Sequence, residues 1–203
     1  MSQAQNPLSS YWLPLFKASF TDPRGTAEAV ESDAFLNRIA PLAIIVIIAL
    51  GTISSTISIW SVDGETIPLF QFLAANPLLF AIVQFIGFIL TVIVVVFVGR
   101  VFGGQAGIGP TFTLFTWLQF LSLVCQLCLW PLALLFGGLA DLASAGLTAY
   151  FIWLTLVYIA TAHGFQSLFL VALVTVGCLF TLSFVLMIFA TIFGFLPEPP
   201  PNV

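Results

Sequence analysis

The stretch Arg100-Val-Phe-Gly-Gly-Gln-Ala-Gly-Ile-Gly-Pro-Thr111 interrupts a chain that otherwise reads as hydrocarbon. It holds one of only four basic residues, four glycines and a proline. Long apolar runs flank it on both sides. Its reading therefore decides how many helices there are and which way each one points. Gly109-Pro110 is expected to end the loop and restart a helix, because a proline in a first helical turn gives up an N–H that has no partner there anyway.

Composition sets the class. Hydrophobic residues make up 61% of the 203 and charged residues 6%, with a mean hydropathy of +1.18. A soluble domain carries about 25% charged residues, which this chain cannot match. Runs of about 20 apolar residues read as membrane-spanning helices. Five are predicted, over 39–60, 77–99, 111–136, 142–162 and 168–195. The net charge of −4 comes from groups scattered over termini and loops, which gives no ground for a nucleic-acid or acidic-substrate partner. Cys125, Cys128 and Cys178 all lie in apolar runs, and an odd count there argues against a disulfide framework. The N-terminus has neither a basic n-region nor a short apolar h-region, so the first span is expected to act as the insertion signal.

Residues 1–10 are polar and expected to be mobile. Tyr11, Trp12, Leu13, Leu15, Phe16 and Phe20 follow, with Lys17 among them. That patch is too short to span and rich in the aromatic residues that favour the headgroup level, so it predicts an interfacial segment. Asp22-Pro23 predicts an N-cap and first helical position. The hydroxyls of Thr52, Ser54, Ser55, Thr56 and Ser58 predict close helix–helix approach in the first span. An apolar run over 67–75 is short enough to lie flat on the membrane, and Asn76-Pro77 predicts the start of the second span. Gly137-Gly138 predicts a tight turn, with Asp141 capping the fourth span. The proline-rich tail, 197–203, cannot continue a helix.

The basic residues orient the bundle. Lys17, Arg24 and Arg38 precede the first span and Arg100 lies in the second loop. With five spans all four fall on one side, which the positive-inside rule makes cytoplasmic. The expectation is an all-α polytopic membrane helix bundle with five transmembrane helices, N-terminus cytoplasmic and C-terminus outside. Its parts are a cytoplasmic or interfacial N-terminal segment (1–38), the membrane domain (39–196) and the tail (197–203).

Chemistry-bearing residues are few. Glycine-rich loops can cradle phosphate through backbone N–H groups, but those patterns need a preceding strand, and the P-loop a Gly-Lys-Ser/Thr. Here a membrane helix precedes the glycines, which predicts a turning loop instead. His163 is the only histidine and has no evident co-ligands or catalytic partner, so it reads as a polar group on a helix turn. Cys125-x-x-Cys128 has redox spacing but lies in an apolar helix, where packing is the expected role. Gln84, Gln119 and Gln126 are the polar groups most clearly inside spans; Gln119 and Gln126, seven apart, share a helix face and are expected to make intramembrane polar contacts. No Asp, Glu, Lys, Arg or His sits in the middle of any span, which argues against an ion-coupled transporter and an intramembrane protease or metalloenzyme.

Four segments carry a resemblance: Asp22-Pro23-Arg24, the loop Arg100-Val-Phe-Gly-Gly-Gln-Ala-Gly, Trp117-Leu118-Gln119 and the turn Ala162-His163-Gly164-Phe165. With their layout, the chain resembles the Yip1 domain family, in particular its bacterial branch, over most of residues 20–195. The resemblance implies five membrane helices, a cytoplasmic N-terminus, the bacterial inner membrane, no known enzymatic chemistry and no cofactor. The resemblance also implies eukaryotic relatives that bind small GTPases; those carry a longer cytoplasmic N-terminal region than the 1–38 segment expected here, so a small GTPase partner is not supported. The functional expectation is a non-enzymatic membrane scaffold or interaction protein, or an accessory or assembly subunit of a larger membrane complex. Its partners would be membrane lipids and a membrane protein or a second copy. The alternative is a small transporter or channel for a neutral or apolar solute, using the three glutamines. Arg100, Gly103, Gly104, Gln105, His163 and Gln166 form the candidate docking surface.

Overall fold

The computed structural model describes residues 7–61 and 68–192, and within them the chain is helical, with no strand. Eight helices occur in order: α1 (Pro7–Thr21), α2 (Pro23–Ser32), α3 (Ala34–Ser61), α4 (Pro68–Ala75), α5 (Pro77–Val101), α6 (Ile108–Leu135), α7 (Gly137–His163) and α8 (Leu168–Ile192). Five of them, α3, α5, α6, α7 and α8, are long and apolar enough to cross a membrane. In hydrocarbon every backbone polar group must be satisfied within the segment, which is why apolar runs of this length fold as helices. The chain divides into two compact units, Met1–Phe165 and Gln166–Val203. The second consists, among the described residues, of α8 and the short Gln166-Ser167 lead-in; the Ser167 hydroxyl accepts from the Leu170 N–H at 3.3 Å. The proline-rich tail and the first residue of the apolar run over 67–75 lie outside the described residues.

In the first unit α6 is the central element. It packs against α2, α3, α5 and α7. Leu114, Phe115, Trp117, Leu118 and Leu121 of α6 are buried, together with Ile44 of α3, Val92 and Val96 of α5, and Leu154, Val157 and Tyr158 of α7. Lipid tails are as apolar as leucine, so this packing is held by dispersion contacts and interhelical hydrogen bonds more than by exclusion of water. The tightest part lies at one end, where α3 and α6 begin and α5 and α7 finish. Asn37 near the start of α3 accepts from the Thr113 hydroxyl near the start of α6. The 28 residues of α6 make a helix about 42 Å long, against a hydrocarbon core of about 30 Å, so its first turns need not lie in lipid.

The N-terminal helices pack along α6 and α7 from this end as far as Tyr150, the midpoint of α7. Asp22 caps α2 as expected, its Oδ1 accepting from the Gly25 N–H at 3.1 Å. The Ser19 side chain is fully buried; its hydroxyl accepts from Trp117 Nε1 at 3.0 Å, and the Tyr150 hydroxyl donates to the Ser19 carbonyl at 3.2 Å. Trp12 stacks on Trp117 with ring centroids 5.9 Å apart, and Phe20 stacks on Tyr150 at 5.6 Å. Trp117 and Tyr150 each pair an apolar ring body with a polar tip that finds a partner here, the Trp117 N–H and the Tyr150 hydroxyl both on Ser19.

Several boundaries differ from those the sequence predicts. Pro7–Ser10 belong to α1. The first span begins at Ala34 because Asp33 Oδ1 accepts from the Leu36 N–H at 2.9 Å and caps it there. α6 starts at Ile108, three residues before the expected Thr111, with Pro110 inside its first turn. Gly137 and Gly138 do not form the turn, and Asp141 caps nothing: α7 begins at Gly137 and only Phe136 breaks the path from α6. The break falls one residue earlier, at Phe136, and the two glycines open the first turn of α7, where their N–H groups need no partner within the helix. Asn76 precedes α5 without capping it; its Nδ2 donates back to the Phe72 carbonyl at 2.8 Å.

Candidate functional site

Two helix ends, α5 and α7, finish in the same way and pack on each other. After α5, Gly104 N–H donates to the Gly99 carbonyl at 2.8 Å and Gly103 N–H to the Arg100 carbonyl at 3.0 Å. After α7, Phe165 N–H donates to the Ala160 carbonyl at 2.8 Å and Gly164 N–H to the Thr161 carbonyl at 3.0 Å. These paired bonds are Schellman caps, which need a left-handed residue at the turn. Gly103 at φ +86° and Gly164 at φ +72° supply it.

His163 fills the space between the two caps. It is only 3% exposed, and Nε2 lies 3.1 Å from the Val95 carbonyl oxygen of α5. A carbonyl only accepts, so Nε2 carries the proton. The ring lies against Gly99 and Gly104, and a Cβ at either position would overlap it. It also stacks on Phe165, with centroids 5.3 Å apart and planes 15° apart. Nδ1 faces Gly104 without a hydrogen-bond partner among the described residues. Arg100 closes the loop: its Nε and Nη2 both donate to the Ala106 carbonyl, at 3.2 and 3.0 Å.

The structure thus brings Arg100, Gly103, Gly104 and His163 together, with His163 enclosed rather than presented. Gln105 is exposed on the same loop. Gln166 belongs to the second unit. The N–H groups of Phe102, Gly103 and Gly104 are committed to helix carbonyls and are not aimed at a phosphate. Around Gln105, Val101 at the end of α5, Phe102 in the loop and Ile108 at the start of α6 are 82%, 53% and 49% exposed. These three apolar side chains escape a sequence reading that weighs only polar groups in loops.

A second polar feature lies in the other half of the bundle. Gln84, Gln119 and Gln126 all line one cavity of about 460 Å³ between α3, α5 and α6. Gln84 Nε2 donates to the Thr52 hydroxyl of α3 at 3.2 Å, an interhelical bond of the kind expected of it. Ser122, Gln126 and Thr155 also line a neighbouring cavity of about 440 Å³ between α6 and α7. Cys125 and Cys128 are free thiols, and no cluster of three metal-ligating side chains occurs among the described residues.

The model of the family described as the Yip1 domain matches residues 17–190. No curated protein and no solved structure matches the chain. The matched stretch takes in both capped helix ends, the enclosed histidine and the five helices able to span a membrane, and the chain belongs to the Yip1 domain family.

Proposed function

We propose that this protein is a non-enzymatic membrane scaffold that docks another membrane protein on the end of the bundle built around His163. The observation that carries the reading is the apolar rim of Val101, Phe102 and Ile108 around a loop that the α5 cap and Arg100 hold shut. Exposed apolar patches of this kind mark interaction surfaces, and a rigid one binds with little ordering cost. In this reading the loop and the N-terminal helices face the cytoplasm, the C-terminus lies outside, and the protein serves the bacterial inner membrane as an accessory or assembly subunit.

Purification from native membranes with mass spectrometry tests it. One membrane protein is expected to co-purify at fixed stoichiometry and to be lost in Phe102→Glu, whose thermal unfolding should match the parent. An isolated monomer without partner would overturn the proposal, and recovery of this chain alone as a dimer would replace the partner with a second copy. A Gln105→Cys variant lacking the native cysteines should react with an impermeant maleimide only from the cytoplasmic side.

The glutamine-lined cavity favours a second reading, a small transporter for a neutral solute. Val92, Val96, Leu114 and Phe115 pack between the cavity and the loop, so this path would be shut in the present conformation. Flux in proteoliposomes that vanishes in Gln84→Leu would establish transport; no flux in the parent would end that reading.

A further inference from the structure

The cavity between α3, α5 and α6 has a lining that specifies an occupant. Amides of Gln84, Gln119 and Gln126 and the hydroxyls of Ser55 and Ser122 face it, alongside Ile47, Phe88 and Leu118. No Asp, Glu, Lys, Arg or His lines it or its neighbour. Gln84 has Thr52 as partner, but among the described residues the side-chain amides of Gln119 and Gln126 have none. An amide offers two donors and an acceptor with two lone pairs. Gln119 is exposed and Gln126 half-buried at this open cavity; at hydrocarbon depth an amide left without a partner costs roughly 2–7 kcal/mol, so a group that hydrogen-bonds is expected there.

Position narrows the choice. Gln84 lies seven residues into α5 from Pro77, and Gln126 nine residues before the end of α6 at Leu135. At about 1.5 Å per residue both sit some 10–14 Å from the helix ends remote from the loop. That depth lies well inside helices long and apolar enough to span the membrane. A phosphate would meet no cation in the lining and would carry an unpaired charge into it, which is strongly unfavourable. The volume falls in the range of about 300–1,000 Å³ typical of ligand pockets.

We propose that this cavity binds an uncharged glycerolipid, its hydroxyl and ester groups on Gln119 and Gln126 and its chains along Ile47, Phe88 and Leu118. The site is separate from the docking rim and does not rest on the scaffold reading. Phe102→Glu should leave it unchanged.

The test uses the full chain in phosphatidylcholine vesicles with a diazirine-bearing diacylglycerol as probe, and photolabelled peptides are mapped by mass spectrometry. Label is expected on cavity-lining residues of α3, α5 and α6. Unlabelled dioleoylglycerol should compete, and dioleoylphosphatidylglycerol should not. Gly51 and Gly87 line the cavity, and a Cβ at either meets nothing within 4 Å, so Gly87→Leu fills it without backbone strain. Labelling should drop about fivefold or more in Gly87→Leu, and again in Gln119→Leu/Gln126→Leu, which removes the amides but keeps apolar bulk. Label spread evenly over lipid-facing helix surfaces would overturn the proposal. So would equal competition by the anionic lipid, or full labelling in both variants. Cavity label lost in Gly87→Leu but kept in the double leucine variant would likewise overturn the role of the glutamines.

Discussion

His163 reaches the Val95 carbonyl because Gly99, one turn further along α5, has no side chain to stop it. Positions 95 and 99 lie on the same helix face, so any Cβ at 99 would stand where the imidazole lies. Gly99→Ala should therefore destabilise the bundle by about 1–3 kcal/mol through overpacking. In a His163→Ala background the same change should become neutral or stabilising, since alanine is the better helix former by about 0.8–1.0 kcal/mol. A double-mutant cycle of thermal unfolding in detergent reads the coupling, and additive effects would contradict the packing described.

Trp117 tethers the N-terminal helices through its indole N–H to Ser19. Trp117→Phe keeps a ring for Trp12 to stack on but removes the donor, at a cost of about 0.5–1.5 kcal/mol. Lys17 and Arg24 are exposed on α1 and α2. Tryptic cleavage after them should speed up by about fivefold if the helices open more often. Unchanged cleavage would mean that the hydrogen bond does not hold them.

Asp22→Ala should lower stability by about 0.5–2 kcal/mol, the usual loss for an N-cap. Asp22→Asn, which retains an acceptor, should recover most of it. Gly25→Ala is expected to behave like Asp22→Ala, because its Cβ would overlap the Asp22 carboxylate. Unfolding midpoints of the three variants check the order.

Burial, with a smaller contribution from Glu28, pushes the Glu31 carboxyl above its ordinary value. The unfolded chain thus releases this proton first as pH rises. Stability is unimpaired below the ordinary carboxylate range, falls as pH climbs towards the raised native value, and stays reduced above it. Glu31→Gln should raise the unfolding temperature modestly at neutral pH and flatten the profile above the ordinary carboxylate range. A steeper profile in the variant would reverse the sign argued here.

Much of the architecture is legible because membrane helices announce themselves by length and apolarity. All five long runs fold as helices, and Asp22-Pro23 starts α2 where capping chemistry puts it. Punctuation inside the apolar runs is less legible. Gly137-Gly138 has the composition of a turn, yet the break falls at Phe136 and the glycines become the first turn of α7, a shift of one or two residues that composition does not resolve. The loop glycines were readable as turn formers, and Gly103 is one. Gly99 and Gly104 matter for another reason, the seat they leave for a residue about 60 positions away, and a single sequence holds no trace of that distance. The convergence of Gln84 with Gln119 and Gln126 is hidden likewise: the 119/126 pair follows from helical periodicity, but its meeting with α5 follows from how α5 and α6 pack.

The bonds that hold the first unit together also set an order on its birth. Ser19 is 98 residues ahead of Trp117 and 131 ahead of Tyr150, Asn37 is 76 ahead of Thr113, and Val95 is 68 ahead of His163. At about 5–20 residues per second, a ribosome delivers α1 and α2 roughly 5–20 s before the Trp117 on which they will rest. The earliest helices therefore wait at the membrane surface without their final seat. The last turn of α7 completes the assembly, and a chain cut short before His163 would leave the capped end of α5 with an empty glycine-lined notch.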